Sequence, residues 1–174
     1  MFMRTKKPMT SQFSFTIRPA LLKDLPVIMG IYNEARAFMR RKGNLRQWVN
    51  GYPQQTLLES DIEHRQLFVL ENRQGIYGVF AFIRGNDPTY AKIEGRWLTD
   101  RPYGTIHRAA SNGTQRRVLD QIVQFCEQQT THLRIDTHGD NTVMQNLVRK
   151  LGFVHCGTIY VEEDNYPRLA YEKT

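Results

Sequence analysis

YGTIHRAASNGTQRRVLDQIVQFC, residues 103–126, is the stretch on which the reading of this chain turns. Its first half reads as a strand and its second half as a helix. Between them lies the polar turn Ser111-Asn112-Gly113-Thr114, followed by Arg116 and Arg117. The first turn of a helix offers N–H groups without intrahelical acceptors and the positive end of the helix dipole. Two arginines beside that end make it a seat for an anion.

Upstream, Phe15-Thr16-Ile17-Arg18 alternates as a strand and stops at Pro19. Asp24 is placed to cap a helix, with Pro26 tolerated in its first turn. Ile28, Ile31, Tyr32, Ala35, Phe38 and Met39 then recur at helical spacing as far as Gly43. A shorter helix is predicted over 54–64, with Leu57, Leu58 and Ile62 inward. LFVLE (67–71), the turn NRQG and IYGVFAFI (76–83) form a hairpin pattern, and GNDPTYAK is a loop. Downstream, HLRID (132–136) is a strand. Asp140 or Asn141 starts a helix with Val143, Met144, Leu147, Val148 and Leu151 inward, and Gly152 stops it. FVHCGTIYV (153–161) and RLAYE (168–172) are the closing strands. The order β, α, α, β, β, β, α, β, α, β, β predicts an α/β (α+β) domain over 15–174, behind a polar tail at 1–14.

Composition narrows the function classes. The chain has 174 residues, of which 40% are hydrophobic, enough for a real core. No run of about 18 apolar residues marks a membrane span. The opening MFMRTKKPMTSQ lacks the apolar stretch of a secretory signal. Cys126 and Cys156 sit in apolar surroundings without metal-ligand spacing, and read as buried thiols. These features point to the cytoplasm and to no metal. The net charge of +7 favours anionic partners. Part of it lies in the tail and part in Arg36, Arg40, Arg41, Lys42 and Arg46, which read as a solvated helix end. Basic–aromatic nucleic-acid motifs are lacking, so a nucleic-acid binder is the weaker reading.

The element order, with three segments inside it, resembles the GCN5-related N-acetyltransferase superfamily. IRPALLKDLPVIMGIYNEA resembles its opening strand and helix. Residues 103–126 occupy the place of its pyrophosphate loop. DTHGDNTVMQNLVRKLGFVHCGTIY resembles its penultimate strand, Asn-started helix and KLGF ending. QWVNGYP, PYGTIHRAAS and DTH.DN are similar to an uncharacterised bacterial subgroup. The resemblance implies a mixed sheet of about seven strands with about four helices. It also implies acetyl-CoA as co-substrate, a primary amine of a small molecule or peptide as acceptor, and attack in a ternary complex. A homodimer is a further expectation.

The same resemblance assigns the anion: the pyrophosphate of coenzyme A. The family's Arg/Gln, Gly and Gly/Ala positions fall on Thr114, Arg117 and Leu119, so both glycines are absent here. Arg117 would replace permission for close approach by charge. Arg108, Ala109, Thr114, Arg116, Arg117, Val118 and Asn141 are the implied cofactor-binding residues, with Asn141 on the pantetheine arm. The tyrosine that protonates the thiolate in many members falls on Val148.

Transfer to an amine needs a proton acceptor, a donor to the thioester oxygen and close placement of both substrates. Backbone N–H groups within 106–110 would supply the donor. His107 is the candidate base, or a histidine bonded within the sheet, or one lining the site without proton transfer. Asp136 could bind a cationic amine or orient a histidine, and His138 could relay a proton; both also suit the turn that caps the next helix, as does Asp140. Trp48 and Tyr52, with Trp97 and Tyr103, are candidates for the acceptor wall or ordinary packing. Glu59, Asp61 and Glu63 could attract a cation, or read as a solvated helix face. A non-catalytic acyl-CoA- or partner-binding member of the same fold is the alternative, motivated by the missing glycines and tyrosine.

Overall fold

A computed structural model of the protein describes residues 14–161 and 166–174. The basic tail and part of the turn before the last strand lie outside these residues. Eight strands form one sheet: β1 (Thr16–Pro19), β2 (Leu67–Asn72), β3 (Gly75–Arg84), β4 (Glu94–Gly95), β5 (Gly104–Ser111), β6 (Leu133–His138), β7 (Val154–Tyr160) and β8 (Pro167–Lys173). Their order across the sheet is β1-β2-β3-β5-β6-β8-β7-β4. The eighth strand is the two-residue β4, where Gly95 lies so close to Gly157 that a Cβ on Gly95 would sit 2.3 Å from the Cys156 carbonyl.

Both faces of the sheet are covered. Val69, Val79 and Ala81 look towards α1 (Leu25–Arg41) and α2 (Gln55–Glu63), meeting Ile28, Ile31, Tyr32 and Leu58. Leu70, Phe80 and Phe82 look the other way. They meet α3 (Val118–Glu127) through Ile122, Val123 and Cys126, and share that core with Val148 of α4 (Thr142–Lys150). This is the alternation that a strand's two-residue period imposes. Fully burying one such side chain stabilises by about 2 kcal/mol, so the two apolar layers hold the sheet in place.

The sheet opens in the middle. Neighbouring strands are antiparallel except β5 and β6, whose parallel pairing covers Gly104–Ile106 against Leu133–Ile135. Beyond it β6 continues along β8 to His138, while β5 continues along β3 to Ser111. The two strands therefore part from His107 onward. A register shift between Val79 and Ala81 goes with Arg108 at φ 53°, a left-handed conformation inside a strand. Such bulges bend a strand and end its pairing.

Several local expectations change. Asp24 makes no side-chain cap; its carboxylate accepts from Leu21 N at 2.9 Å and pairs with Arg18 at 2.7 Å, stapling β1 to α1. Asn141, not Asp140, caps α4, its Oδ1 accepting from Met144 N at 3.1 Å. Val143 and Leu147, read as core, are exposed, as is Phe38. Cys126 is buried but Cys156 only half-buried, and both are free thiols. Arg36 is buried rather than solvated. It donates to the Tyr52 carbonyl at 2.7 Å and to Asn33 Oδ1, tying α1 to the segment that follows it.

Candidate active site

Two cavities meet where β5 and β6 part. One, about 670 Å³, is walled by the ends of β5 and β6, the 47–54 segment and α2. The other, about 530 Å³, lies between α1, the β5–α3 turn and α4. Met39, Ala109, Asn141 and Met144 line both, so the two spaces join along β5. Arg108 and Ala109 have no partner in the β3 or β6 registers, which leaves this part of β5 open to an extended ligand.

His107 stands at the parting. Its Nε2 lies 2.6 Å from Asp87 Oδ2, and its Nδ1 lies 3.9 Å from Asp136 Oδ1. Asp87 comes from the loop before β4, where a 3₁₀ turn (Pro88–Tyr90) follows it. Its Oδ1 accepts from Thr89 N at 2.9 Å and its own N–H donates to the Tyr103 hydroxyl at 3.1 Å. Tyr90 from the same turn donates to Asp136 Oδ1 at 2.6 Å. Burial pushes the Tyr90 hydroxyl well up, and Asp136 adds to that, so Tyr90 remains a donor. Burial also pushes the Asp87 carboxyl up, but the hydrogen bond and charge of His107, with the Thr89 bonds, outweigh it and hold the carboxyl at about 2.

A pH prediction follows from Asp87. A carboxyl lowered on folding contributes stability that is present above its unfolded value and lost as pH falls through the folded one. From 3.8 down to about 2, that is about 2 kcal/mol at neutral pH. Asp87→Asn is expected to lower the urea midpoint at pH 6, with the gap to the native chain closing between about pH 4 and 2. A gap independent of pH would show that ionisation of the Asp87 carboxyl does not stabilise the fold.

The opposite wall is built on Arg108. Its guanidinium pairs with Asp61 of α2 at 2.6 Å, and its carbonyl accepts from the Tyr32 hydroxyl at 2.9 Å. Burial pushes the Asp61 carboxyl up, against the pull of Arg108. Trp48 packs edge-on to Tyr32 at 5.5 Å and inclines to Tyr52 at 6.4 Å. Among the described residues, five without glycine's freedom have positive φ: Trp48, Asn50, Arg65, Arg108 and Arg117. Four of them line these cavities, and strained backbone of this kind gathers at functional sites.

The second cavity is an apolar cleft ending at a helix N-terminus. Val143 and Leu147 of α4 and Phe38 of α1 face it, which explains their exposure. Arg117 precedes α3 at φ 59°, the left-handed conformation glycine takes freely. The chain thus keeps a glycine-like backbone where the resemblance implies glycine, at a cost of about 1 kcal/mol. Its side chain is exposed and pairs with Asp120 at 2.8 Å. Asn141 Nδ2 donates to Gln47 Oε1 at 2.9 Å, linking the cleft to the 47–54 segment.

The sequence-predicted residues distribute as follows. His107, Asp136, Trp48 and Tyr52 line the larger cavity, Arg117 and Val118 the cleft, and Ala109 and Asn141 both. Arg108 lies on the larger cavity, held by Asp61, rather than on the cleft. Thr114 is turned into a local bond with Asn112 Oδ1 at 2.7 Å, Arg116 is exposed, and neither lines the cleft. His138 is buried against the Tyr166 ring and its Nδ1 accepts from Asp140 N, off both walls. Trp97 and Tyr103 clamp the Arg134 guanidinium at 3.9 and 3.8 Å and line neither cavity. Val148, at the expected tyrosine position, is core.

Asp87 and Tyr90 carry no site signal in the sequence, and Asp61, on a face that reads as solvated or cation-attracting, is instead buried against Arg108. Asp61 had a readable signal. It shares the helical face of Leu57, Leu58 and Ile62, and a carboxylate at an inward position calls for a partner. Asp-Pro-Thr is a turn signal that fixes Asp87 locally but not what it faces.

Among the described residues no helix is long and apolar enough to cross a membrane, and no group of three or more His, Cys, Asp or Glu is placed to hold a metal. No protein-family model and no curated protein matches this sequence. Solved structures do. An acetyltransferase of the GNAT family from Streptococcus agalactiae is 34% identical, superposes with a TM-score of 0.81 and covers 91% of this chain and 94% of its own. A GNAT-family acetyltransferase from Listeria monocytogenes is 17% identical with a TM-score of 0.70, covering 97% and 99%. The ribosomal-protein-S18-alanine N-acetyltransferase of Escherichia coli is 14% identical with a TM-score of 0.59, covering 92% and 93%. The last two are similar in fold. The first adds identity along nearly the whole length to a sheet parted beside a helix N-terminus, and on both grounds the chain belongs to the GNAT family of acetyltransferases.

Proposed function

We propose that the protein moves an acetyl group from acetyl-CoA to a primary amine of a small molecule or peptide, by direct attack in a ternary complex. The observation that carries this reading is the junction itself. An apolar cleft at a helix N-terminus runs along the unpartnered Arg108–Ala109 stretch of β5 into a cavity lined by His107. The residues fit a coenzyme A arm. Val118, Val143 and Leu147 offer apolar walls, and the α3 N-terminus and Arg117 offer positive charge for phosphate.

Asp87 holds His107 Nε2, so with Nε2–H as the donor the Nδ1 lone pair remains for a proton. The acceptor ammonium gives one proton to Nδ1, and from there to solvent. The free amine attacks the thioester carbon and a C–N bond forms. The C–S bond breaks, its electron pair leaves with sulfur, and the second proton from nitrogen neutralises the thiolate. Main-chain N–H groups of 108–109 are the candidates to meet the developing oxyanion.

Release of free thiol from acetyl-CoA with a panel of primary amines tests the reading. Amine-dependent release is expected. Tight acetyl-CoA binding without release for any amine would favour a non-catalytic acyl-CoA binder. Arg117 has its own test by titration calorimetry. Arg117→Glu is expected to weaken acetyl-CoA binding by more than about tenfold, since it replaces attraction by repulsion at the phosphates. Unchanged affinity would move the pyrophosphate elsewhere.

A further inference from the structure

The larger cavity distributes its charges unevenly. Asp61 is closed by Arg108 at 2.6 Å and Asp87 by His107 at 2.6 Å. Asp136 is held differently. Its Oδ1 accepts a neutral hydroxyl, that of Tyr90, at 2.6 Å. Its Oδ2 forms a longer ion pair, with Arg168 Nε at 4.0 Å, which leaves its Oδ1 without a cationic hydrogen-bond donor. The same Oδ1 lies 3.9 Å from His107 Nδ1. That gap is too wide for a direct hydrogen bond, yet one nitrogen placed beside it reaches both atoms at ordinary bond length.

We propose that this gap seats the ammonium of the acceptor, and that the acceptor is a monoamine with an uncharged apolar or aromatic body. The inference rests on the acetyl-transfer reading and names its substrate class. The seat puts the ammonium against a carboxylate and in contact with the nitrogen that takes its proton. Tyr90 is a positioning residue, since its hydroxyl fixes the carboxylate from the far side.

The remaining wall decides the body. Met39, Trp48, Val49, Tyr52, Leu57 and Ile83 present apolar and aromatic surface. A second ammonium would meet Asp61 already engaged by Arg108. An acceptor carboxylate would meet Arg108 already engaged by Asp61 and Arg168 already beside Asp136, and would lie near Asp87 and Asp136. Opening a buried ion pair for either group costs more than the new contact returns. Diamines and amino acids are therefore disfavoured, and an arylalkylamine or alkylamine is favoured.

Titration calorimetry on the full chain tests this. The probes are 2-phenylethylamine, 1,4-diaminobutane and free phenylalanine, each with and without saturating coenzyme A. 2-Phenylethylamine is expected to bind at least about tenfold more tightly than the other two. Asp136→Asn is expected to weaken it about tenfold with acetyl-CoA affinity retained, and Tyr90→Phe to weaken it severalfold should the first variant fail to fold. Equal or tighter binding of the diamine or of phenylalanine overturns the proposal. So does the absence of binding by all three, or native affinity in the variants. Acetyl-CoA is titrated separately. Selective amine binding without donor heat overturns acetyl transfer and leaves the seat standing; donor heat without amine selectivity overturns the seat alone.

Discussion

Replacing His107 by alanine is expected to lower turnover at pH 7 by about a hundredfold or more, the usual contribution of a positioned acid–base group. A primary amine titrating near pH 10, like that of lysine, is almost wholly protonated at pH 7, so an enzyme working there has to take the proton away. His107 lines the larger cavity, two residues before Ala109 where the cavities join, and its Nε2 is engaged by Asp87 at 2.6 Å, which leaves Nδ1 for the cavity. By pH 9 the free amine is about a hundredfold more abundant and the base matters less. The deficit of His107→Ala is thus expected to shrink between pH 7 and pH 9, with acetyl-CoA affinity unchanged by calorimetry. A small loss independent of pH would make His107 a wall residue. Asp87→Asn should reproduce part of the deficit, because the carboxylate holds the ring at 2.6 Å.

The largest stability effect is expected at Glu172, away from both cavities. Its Oε1 accepts from His132 Nε2 at 2.5 Å and from Arg134 Nε at 2.8 Å, and its Oε2 accepts from Leu98 N. The carboxylate is fully buried and Arg134 is sandwiched between Trp97 and Tyr103. Removing one member of such a group strands the others without water. Glu172→Ala should therefore cost about 3–5 kcal/mol in urea unfolding. For a chain of this size the thermal midpoint should fall by on the order of 10 °C. Glu172→Gln keeps an acceptor oxygen and should cost less. A loss below about 1 kcal/mol for the alanine variant would mean that the network adds nothing beyond packing. The network also bears on the site at a distance. It fastens the 97–103 segment, where Trp97 donates to the Tyr90 carbonyl at 3.2 Å and Tyr103 accepts from Asp87 N.

Legibility in the sequence followed period and punctuation. The α1 pattern from Ile28 to Ala35 is buried as read, and the 67–83 hairpin pairs as β2 with β3. Where the apolar period misled, the structure supplies a functional reason. Phe38, Val143 and Leu147 keep the helical spacing of core residues, but the surface they face is an open cleft. Arg36 misled in the opposite sense. It sits in a basic run that reads as solvated, and burial is bearable because main-chain carbonyls of the 47–54 segment accept its protons.

Element order apart from the two-residue β4, the strand–turn–helix of 103–126 and the fold class were decided by the sequence alone, because turns, caps and apolar periods are properties of neighbouring residues. Which polar side chains share a site was decided by tertiary structure. Asp87 meets His107 across 20 positions and Tyr90 meets Asp136 across 46, through a loop whose local signals say only that it turns. The parting of β5 from β6 and the left-handed bulge at Arg108 bring those pairs to one edge of one cavity. No spacing within a single element encodes that meeting, since it depends on where two strands cease to pair.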